Sequence, residues 1–149
     1  MSETWREIVA EWQGEDSFIG WDKRGISIQL GECNEQPGAS PMELVLIALA
    51  GCTGMDITSI LRKQRQKLHS FQIRVKGKRA DTYPMVWTDI HVEYLLSGDG
   101  LDPQAVERAI ELSEDKYCSV GIMLRKVANV QTSYRILSSK IEAGQELSM

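Results

Sequence analysis

Two kinds of hydrophobic pattern alternate along this chain. Near the N-terminus the period is two. Ile26, Ile28 and Leu30 alternate with Ser27 and Gln29, which predicts a short half-buried strand, and Asp22 to Gly25 supplies the turn before it. Upstream, Arg6 to Trp12 and Ser17 to Trp21 read as two more strands joined at Gly14 to Asp16, so the first third predicts a three-stranded antiparallel unit. Gly31 to Ala39, containing Gly31, Pro37 and Gly38, predicts a loop.

The pattern then becomes helical, with clear punctuation. Ser40 is placed to be an N-cap, Pro41 fits the first helical position because its missing N–H would have been unpaired there, and Glu43 fits the third position of a capping box. From Met42 to Ala50 the run is apolar nearly all round, which predicts burial on every side. After Asp56 it turns amphipathic, with Ile57, Ile60, Leu61 and Leu68 against Arg62, Lys63, Gln64 and Lys67. A helix from Pro41 to about Lys67 would be roughly 40 Å long at 1.5 Å per residue. Gly51 and Gly54 flank Cys52, and each costs about 1 kcal/mol relative to alanine in a helix. Either a neighbour approaches closely there, or the helix bends or breaks.

Period two returns at Phe71, Ile73 and Val75, and again at Ile90, Val92, Tyr94 and Leu96, with a turn near Asp81 to Pro84. Asp102 and Pro103 open a second helix to about Lys116, Ser119 to Lys126 forms a short third, and Val127 to Leu137 is a last strand before a loose tail from Ser138. This order predicts one α+β domain over residues 1–149, with two small antiparallel sheets around a long central helix. Small sheets leave an all-round apolar helix partly uncovered, and a second copy of the chain would cover it, so a homodimer is expected.

Composition narrows the function. A chain of 149 residues with 42% hydrophobic and 26% charged content fits an ordinary globular domain. A net charge of −4 and a pI near 5.2 disfavour nucleic acid and anionic membranes as partners. The basic cluster Arg62, Lys63, Arg65 and Lys67 falls in the last turns of the first helix, where it complements the dipole. MSETWREIVAEW lacks the features of a secretory signal, and Leu44 to Cys52 falls short of the roughly 20 residues a membrane span needs. A cytoplasmic location is expected, with the three cysteines as free thiols rather than a structural disulfide framework.

The candidate chemistry rests on Cys52, within the first helix, and Cys118, just past the second. Free cysteine is among the most buried residue types, so a core role is the bland reading of each. Cys118 stands where one helix ends and another begins, and unpaired N–H groups at a helix N-terminus lower a thiol's pKa. Neither belongs to a Cys-x-x-Cys pair, which disfavours thioredoxin-like chemistry and common zinc sites. Cys33 reads as a bystander in a loop, His69 as a dipole partner past a helix end, and His91 as a solvated strand residue, so no metal and no cofactor are expected. Asp56 lies one turn beyond Cys52; since a carboxylate there raises a thiol's pKa, it is expected to pair with a cation or to face the dimer interface.

Pro41, Glu43 and Leu44 leading to Ala50, Gly51 and Cys52, followed by Tyr117, Cys118, Ser119 and Val120 after an acidic helix, resemble the osmotically inducible protein C and organic hydroperoxide resistance (OsmC/Ohr) family. The resemblance covers nearly the whole chain. It implies an intertwined homodimer that reduces peroxides in an oxidative stress response, with Cys52 as the peroxidatic thiol, Cys118 as the resolving thiol, and an external dithiol, often a lipoylated protein, as reductant. Apolar surroundings from Leu44, Ile47, Ala48 and Met55 would favour organic hydroperoxides over hydrogen peroxide.

Family peroxidases also pair a glutamate near the start of the central helix with an arginine that activates the thiol. Here Met42 stands at the glutamate's position, and Glu43, one residue on, has a capping role that accounts for it. No arginine occurs between Arg24 and Arg62; the intervening loop offers Glu32, Asn34, Glu35 and Gln36, so Arg24 and Glu43 are the remaining candidates for the catalytic pair, beside their plainer readings as a solvated turn charge and a helix cap. Two readings therefore stand beside the peroxidase: a non-catalytic dimer that binds an apolar ligand at its interface, and a thiol pair without turnover.

Overall fold

The computed structural model describes residues 4–33 and 35–138, so Asn34 and the tail beyond Ser138 lie outside it. The chain divides into two compact units, Met1–Val45 and Leu46–Met149.

In the first unit β1 (Val9–Gly14), β2 (Ser17–Trp21) and β3 (Ser27–Leu30) form the predicted antiparallel sheet, with Trp12 opposite Phe18 and Gly20 opposite Ile28. The loop expected over Gly31 to Ala39 contains a small ribbon, β4 (Glu32–Cys33) against β5 (Gln36–Pro37), turned at Glu35 with a φ of 62°.

Helix α1 (Pro41–Lys63) starts as its punctuation requires: the N–H of Glu43 donates to Ser40 Oγ at 3.4 Å, and the N–H of Leu44 to the Ser40 carbonyl at 2.8 Å. It ends one turn earlier than predicted. Arg65 takes a left-handed φ of 58°, and the Gln66 N–H reaches back to the Leu61 carbonyl at 2.9 Å, which closes the helix and frees Lys67 to begin a strand.

Between these ends α1 continues unbroken through its glycines. Leu49, Thr53, Ile57 and Leu61 form its buried stripe. A Cβ added at Gly54 would lie 2.9 Å from Ile73 Cδ1, so this glycine lets the helix settle closely onto the sheet beneath it. Gly51 faces open space instead. The expectation of burial on every side is not met within one chain: Ala48 and Gly51 are exposed, and Ile47 and Met55 are 61% and 76% exposed. By length and apolarity α1 would suffice to cross a bilayer, its mean hydropathy reaching 1.9, but its buried stripe makes it the core helix of the second unit.

The second sheet has the order β6 (Lys67–Arg79), β7 (Trp87–Asp99), β8 (Asn129–Ile136). β6 and β7 are antiparallel, with Ile73 opposite Tyr94. One pairing departs from the expected antiparallel sheet: β8 runs parallel to β7, with Tyr134 opposite Tyr94. The cause is the connection, a helical crossover of α2 (Pro103–Leu112), a π turn (Ser113–Tyr117) and α3 (Ser119–Arg125), which returns the chain in its original direction. The predicted cap of α2 is present, with the Gln104 N–H donating to Asp102 Oδ1 at 3.0 Å. Ile90, Val92, Tyr94 and Leu96 of the central strand are at most 2% exposed. The three aliphatics among them contribute about 1.5–3 kcal/mol each.

Candidate functional site

The π turn after α2 sets up the site. Its wide bond runs from the Cys118 N–H to the Ser113 carbonyl at 2.7 Å, and it leaves both side chains almost wholly buried, at 1% and 0% exposure. Cys118 then serves as the N-cap of α3 and accepts the Gly121 N–H on its Sγ at 3.3 Å. A Cβ at Gly121 would stand 3.2 Å from that sulfur, so a larger residue there would press on it.

Cys52 and Asp56 come from one face of α1, a single turn apart. The two sulfurs and a carboxylate oxygen of Asp56 all lie within 4.8 Å of one another, and both cysteines are free. The two thiols singled out in the sequence are therefore brought together. Of the two expectations for Asp56, pairing with a cation is not met among the described residues: the carboxylate faces the thiols and accepts the Ser113 hydroxyl hydrogen on Oδ2 at 3.0 Å.

Three buried hydroxyls stand behind this carboxylate. Tyr94 Oη lies 3.0 Å from Thr53 Oγ1, which lies 2.9 Å from Ser113 Oγ. A carboxylate only accepts hydrogen bonds, so Ser113 gives its hydrogen to Asp56, Thr53 gives its own to Ser113, and Tyr94 gives its own to Thr53. Each hydroxyl in the chain is satisfied, and all point one way. The sequence offered one sign of it: Thr53 is the single polar member of an apolar stripe recurring every four residues.

Burial governs the protons. It pushes the Cys118 thiol up to about 11, and the nearby Cys52 and Asp56 add to the rise, while the Gly121 N–H opposes it. The lowered pKa expected from a helix N-terminus is overturned, because desolvation outweighs one N–H. Burial likewise pushes the Tyr94 phenol up to about 12.

An unforeseen arginine, Arg125, borders Gly121. Arg125 Nη2 is 3.8 Å from Glu114 Oε2, its Nη1 donates to the Glu114 carbonyl at 3.1 Å, and the same Nη1 would meet a Cβ at Gly121 at 3.3 Å. The spacing 118, 121, 125 repeats at helical intervals, a signal the sequence carried. Of the other candidates, Arg24 and Glu43 belong to the first unit, whereas Cys52, Asp56 and Cys118 belong to the second. Arg24 is a turn residue with its side chain 83% exposed, paired with Asp22 at 3.1 Å. Glu43 is exposed in the first turn of α1, and Cys33 lies in β4, its side chain outside the described atoms. His69 is not past a helix end but on β6, 3.1 Å from Asp99, and His91 is exposed on β7.

Known proteins share this architecture. The chain is 35% identical over 123 residues to protein YhfA of Escherichia coli K12, covering 83% of this chain and 92% of that one. A hypothetical protein from Aquifex aeolicus VF5 has a structure matching at a TM-score of 0.82 and 32% identity, over 94% of this chain and 100% of that one. The organic hydroperoxide resistance protein OhrB of Bacillus subtilis matches in fold at a TM-score of 0.60 and 15% identity, over 87% of this chain and 97% of that one. The OsmC-like protein family itself matches residues 32–133, the span that carries α1, the crossover and both thiols. With that match, and with Cys52 of the central helix meeting Cys118 at the head of α3, the chain belongs to the OsmC-like family.

Proposed function

We propose that this protein is a thiol-dependent peroxidase that reduces organic hydroperoxides through a Cys52 sulfenic acid and a Cys52–Cys118 disulfide. The observation that carries the reading is the approach of two reduced sulfurs to within 4.8 Å, one half-buried and one buried. The difference in exposure supports the roles expected from the family resemblance. Peroxide reaches Cys52, whose thiolate displaces alkoxide from the O–O bond to give a sulfenic acid, and the alkoxide leaves as alcohol after protonation. Cys118 then attacks the Cys52 sulfur, releasing water and closing the disulfide after side-chain rotation to the roughly 2.05 Å of an S–S bond. An external dithiol, a lipoylated protein being the candidate class, restores both thiols by exchange.

Asp56 supports the second step. A buried thiol held near 11 is protonated at neutral pH and needs a base to react. The Asp56 carboxylate is the neighbouring acceptor, and it hands the proton to the departing hydroxide, so atoms and charge balance. Ser113 holds the carboxylate in place for that transfer.

The apolar stripe of α1 supports both the substrate class and the assembly. Ile47 and Met55 project on the uncovered side of the helix that carries Cys52, and Gly51 next to it has open space. A second copy of the chain laid on this stripe would form the homodimer and build an apolar channel to Cys52, suited to an organic chain. OhrB is described as an organic hydroperoxide resistance protein, which agrees with that substrate class. The proposal includes a role in oxidative stress, with the cytoplasmic location expected from the sequence.

The test is rapid consumption of cumene hydroperoxide by wild type, Cys52→Ser and Cys118→Ser. Cys52→Ser abolishes turnover, and Cys118→Ser reduces one equivalent of peroxide and stops as a trappable sulfenic acid. Rates no faster than a free thiol in all three would leave the alternative, a non-catalytic dimer binding an apolar ligand on the α1 stripe.

A further inference from the structure

The same three groups have the composition of a metal centre, which neither the spacing of the cysteines nor the family predicts. We propose that the reduced chain binds one thiophilic divalent cation, of which Zn²⁺ is the type, through Cys52 Sγ, Cys118 Sγ and the Asp56 carboxylate. A tetrahedral zinc site with bonds of about 2.3 Å to sulfur and 2.0–2.2 Å to oxygen sets its ligands roughly 3.4–3.8 Å apart. The three ligand atoms already converge to within 4.8 Å, so side-chain rotations alone complete the set.

The supporting groups are those a metal site uses. Cys52 and Asp56 sit one turn apart on a helix, the spacing that points two ligands at one ion. The Ser113 hydroxyl fixes the rotation of the carboxylate at 3.0 Å, and the Gly121 N–H fixes the Cys118 sulfur at 3.3 Å. Two thiolates select a soft or borderline ion over Mg²⁺ or Ca²⁺. Three protein ligands leave a fourth position for water, on the side where Cys52 is half-exposed.

Binding releases two protons, since both thiols ligate as thiolates: Zn²⁺ and two thiols give the dithiolate complex and two H⁺. The disulfide form has no thiolate to offer. Metal binding and the disulfide are therefore exclusive states of one pair of sulfurs, and the ion guards the thiols until an oxidant joins them.

The experiment is an anaerobic titration of the reduced, full-length chain with Co²⁺ and then Zn²⁺, with circular dichroism run on every variant. The expected result is one metal per chain, with thiolate-to-cobalt charge transfer and the visible bands of tetrahedral cobalt, all lost after oxidation with diamide. Cys52→Ser weakens binding by about 100-fold or more, and the isosteric Asp56→Asn and the outer Ser113→Ala by about 10- to 100-fold, with unchanged melting temperatures for Asp56→Asn. No saturable binding, one metal per two chains, or an affinity unchanged in Cys52→Ser and Asp56→Asn would overturn the proposal. None of these readouts uses peroxide turnover, so the peroxidase reading stands or falls separately.

Discussion

Ser113 and Asp56, 57 residues apart in the chain, are joined by a 3.0 Å hydrogen bond in which the hydroxyl is the donor. One comes from a π turn after α2, the other from the middle of α1. The bond turns a carboxylate toward two sulfurs at the cost of one hydrogen-bonding position, and it leaves the Asp56 charge beside a thiol that burial already keeps protonated.

Asp56→Asn tests what that charge does. Asparagine still accepts the Ser113 hydrogen but takes no proton from Cys118. Oxidation of Cys52 proceeds, disulfide formation slows by about 10²-fold, and the sulfenic acid becomes trappable with dimedone at neutral pH. The deficit narrows as pH rises, because Cys118 then ionises unaided, and earlier than in wild type since an anionic neighbour is gone. Disulfide formation at the wild-type rate across the whole pH range would remove Asp56 from the mechanism.

Alkaline pH reports on the buried thiol and phenol in the metal-free, reduced protein. Cys118 is pushed up to about 11 and Tyr94 to about 12, above their values in an unfolded chain. Their contribution is fully present below the unfolded values and is lost as pH rises through the folded ones. Stability measured by urea unfolding is therefore flat to about pH 8.5 and falls by the order of 2 kcal/mol for each group by pH 12. Cys118→Ala removes the earlier part of the fall and Tyr94→Phe the later part; a decline of unchanged shape in both variants would contradict the assignment.

Thr53 is the middle link of the hydroxyl chain, and Thr53→Val keeps its shape while deleting both of its hydrogen bonds. Tyr94 is then left with a buried hydroxyl lacking its partner, at a cost of about 1–3 kcal/mol, while Ser113 keeps its bond to Asp56. Adding Tyr94→Phe removes the orphaned group, so the double variant is less destabilised than the sum of the singles. Strict additivity in chemical denaturation would show that the two hydroxyls do not act as one network.

What could be read from the sequence was what neighbours in the chain decide. Ser40–Pro41 and Asp102–Pro103 fixed two helix starts, and alternation at Phe71 to Val75 and Ile90 to Leu96 marked the two long strands. The early end of α1 was hidden because Arg65, not a glycine, takes the left-handed position. The direction of β8 was hidden because it depends on the path of a crossover rather than on its own alternation. At the site, Cys52 and Cys118 were legible as residue types and Asp56 by its place one turn beyond Cys52, but the bonds of Thr53 and Ser113 reach partners more than forty residues away, which no local spacing specifies. The raised thiol followed from burial, which the cap position of Cys118 by itself did not reveal.

The uncovered stripe of α1 carries the last prediction. Ile47 and Met55 are 61% and 76% exposed on a helix whose opposite stripe forms the core, and each would gain about 1.5–3 kcal/mol on full burial. In a symmetric dimer both copies contribute, so the stripe matters twice per interface. Sedimentation of wild type at micromolar concentration should give twice the 16.8 kDa of one chain. Ile47→Glu with Met55→Glu places charges against apolar surface and shifts the population to monomer, whereas Arg108→Glu, on exposed α2 surface, leaves the dimer intact. If the channel to Cys52 is built by the second copy, the monomeric double variant also loses its preference for cumene hydroperoxide over hydrogen peroxide. A wild-type monomer, or a double variant that remains dimeric, would move the interface elsewhere and leave the stripe to bind an apolar ligand alone.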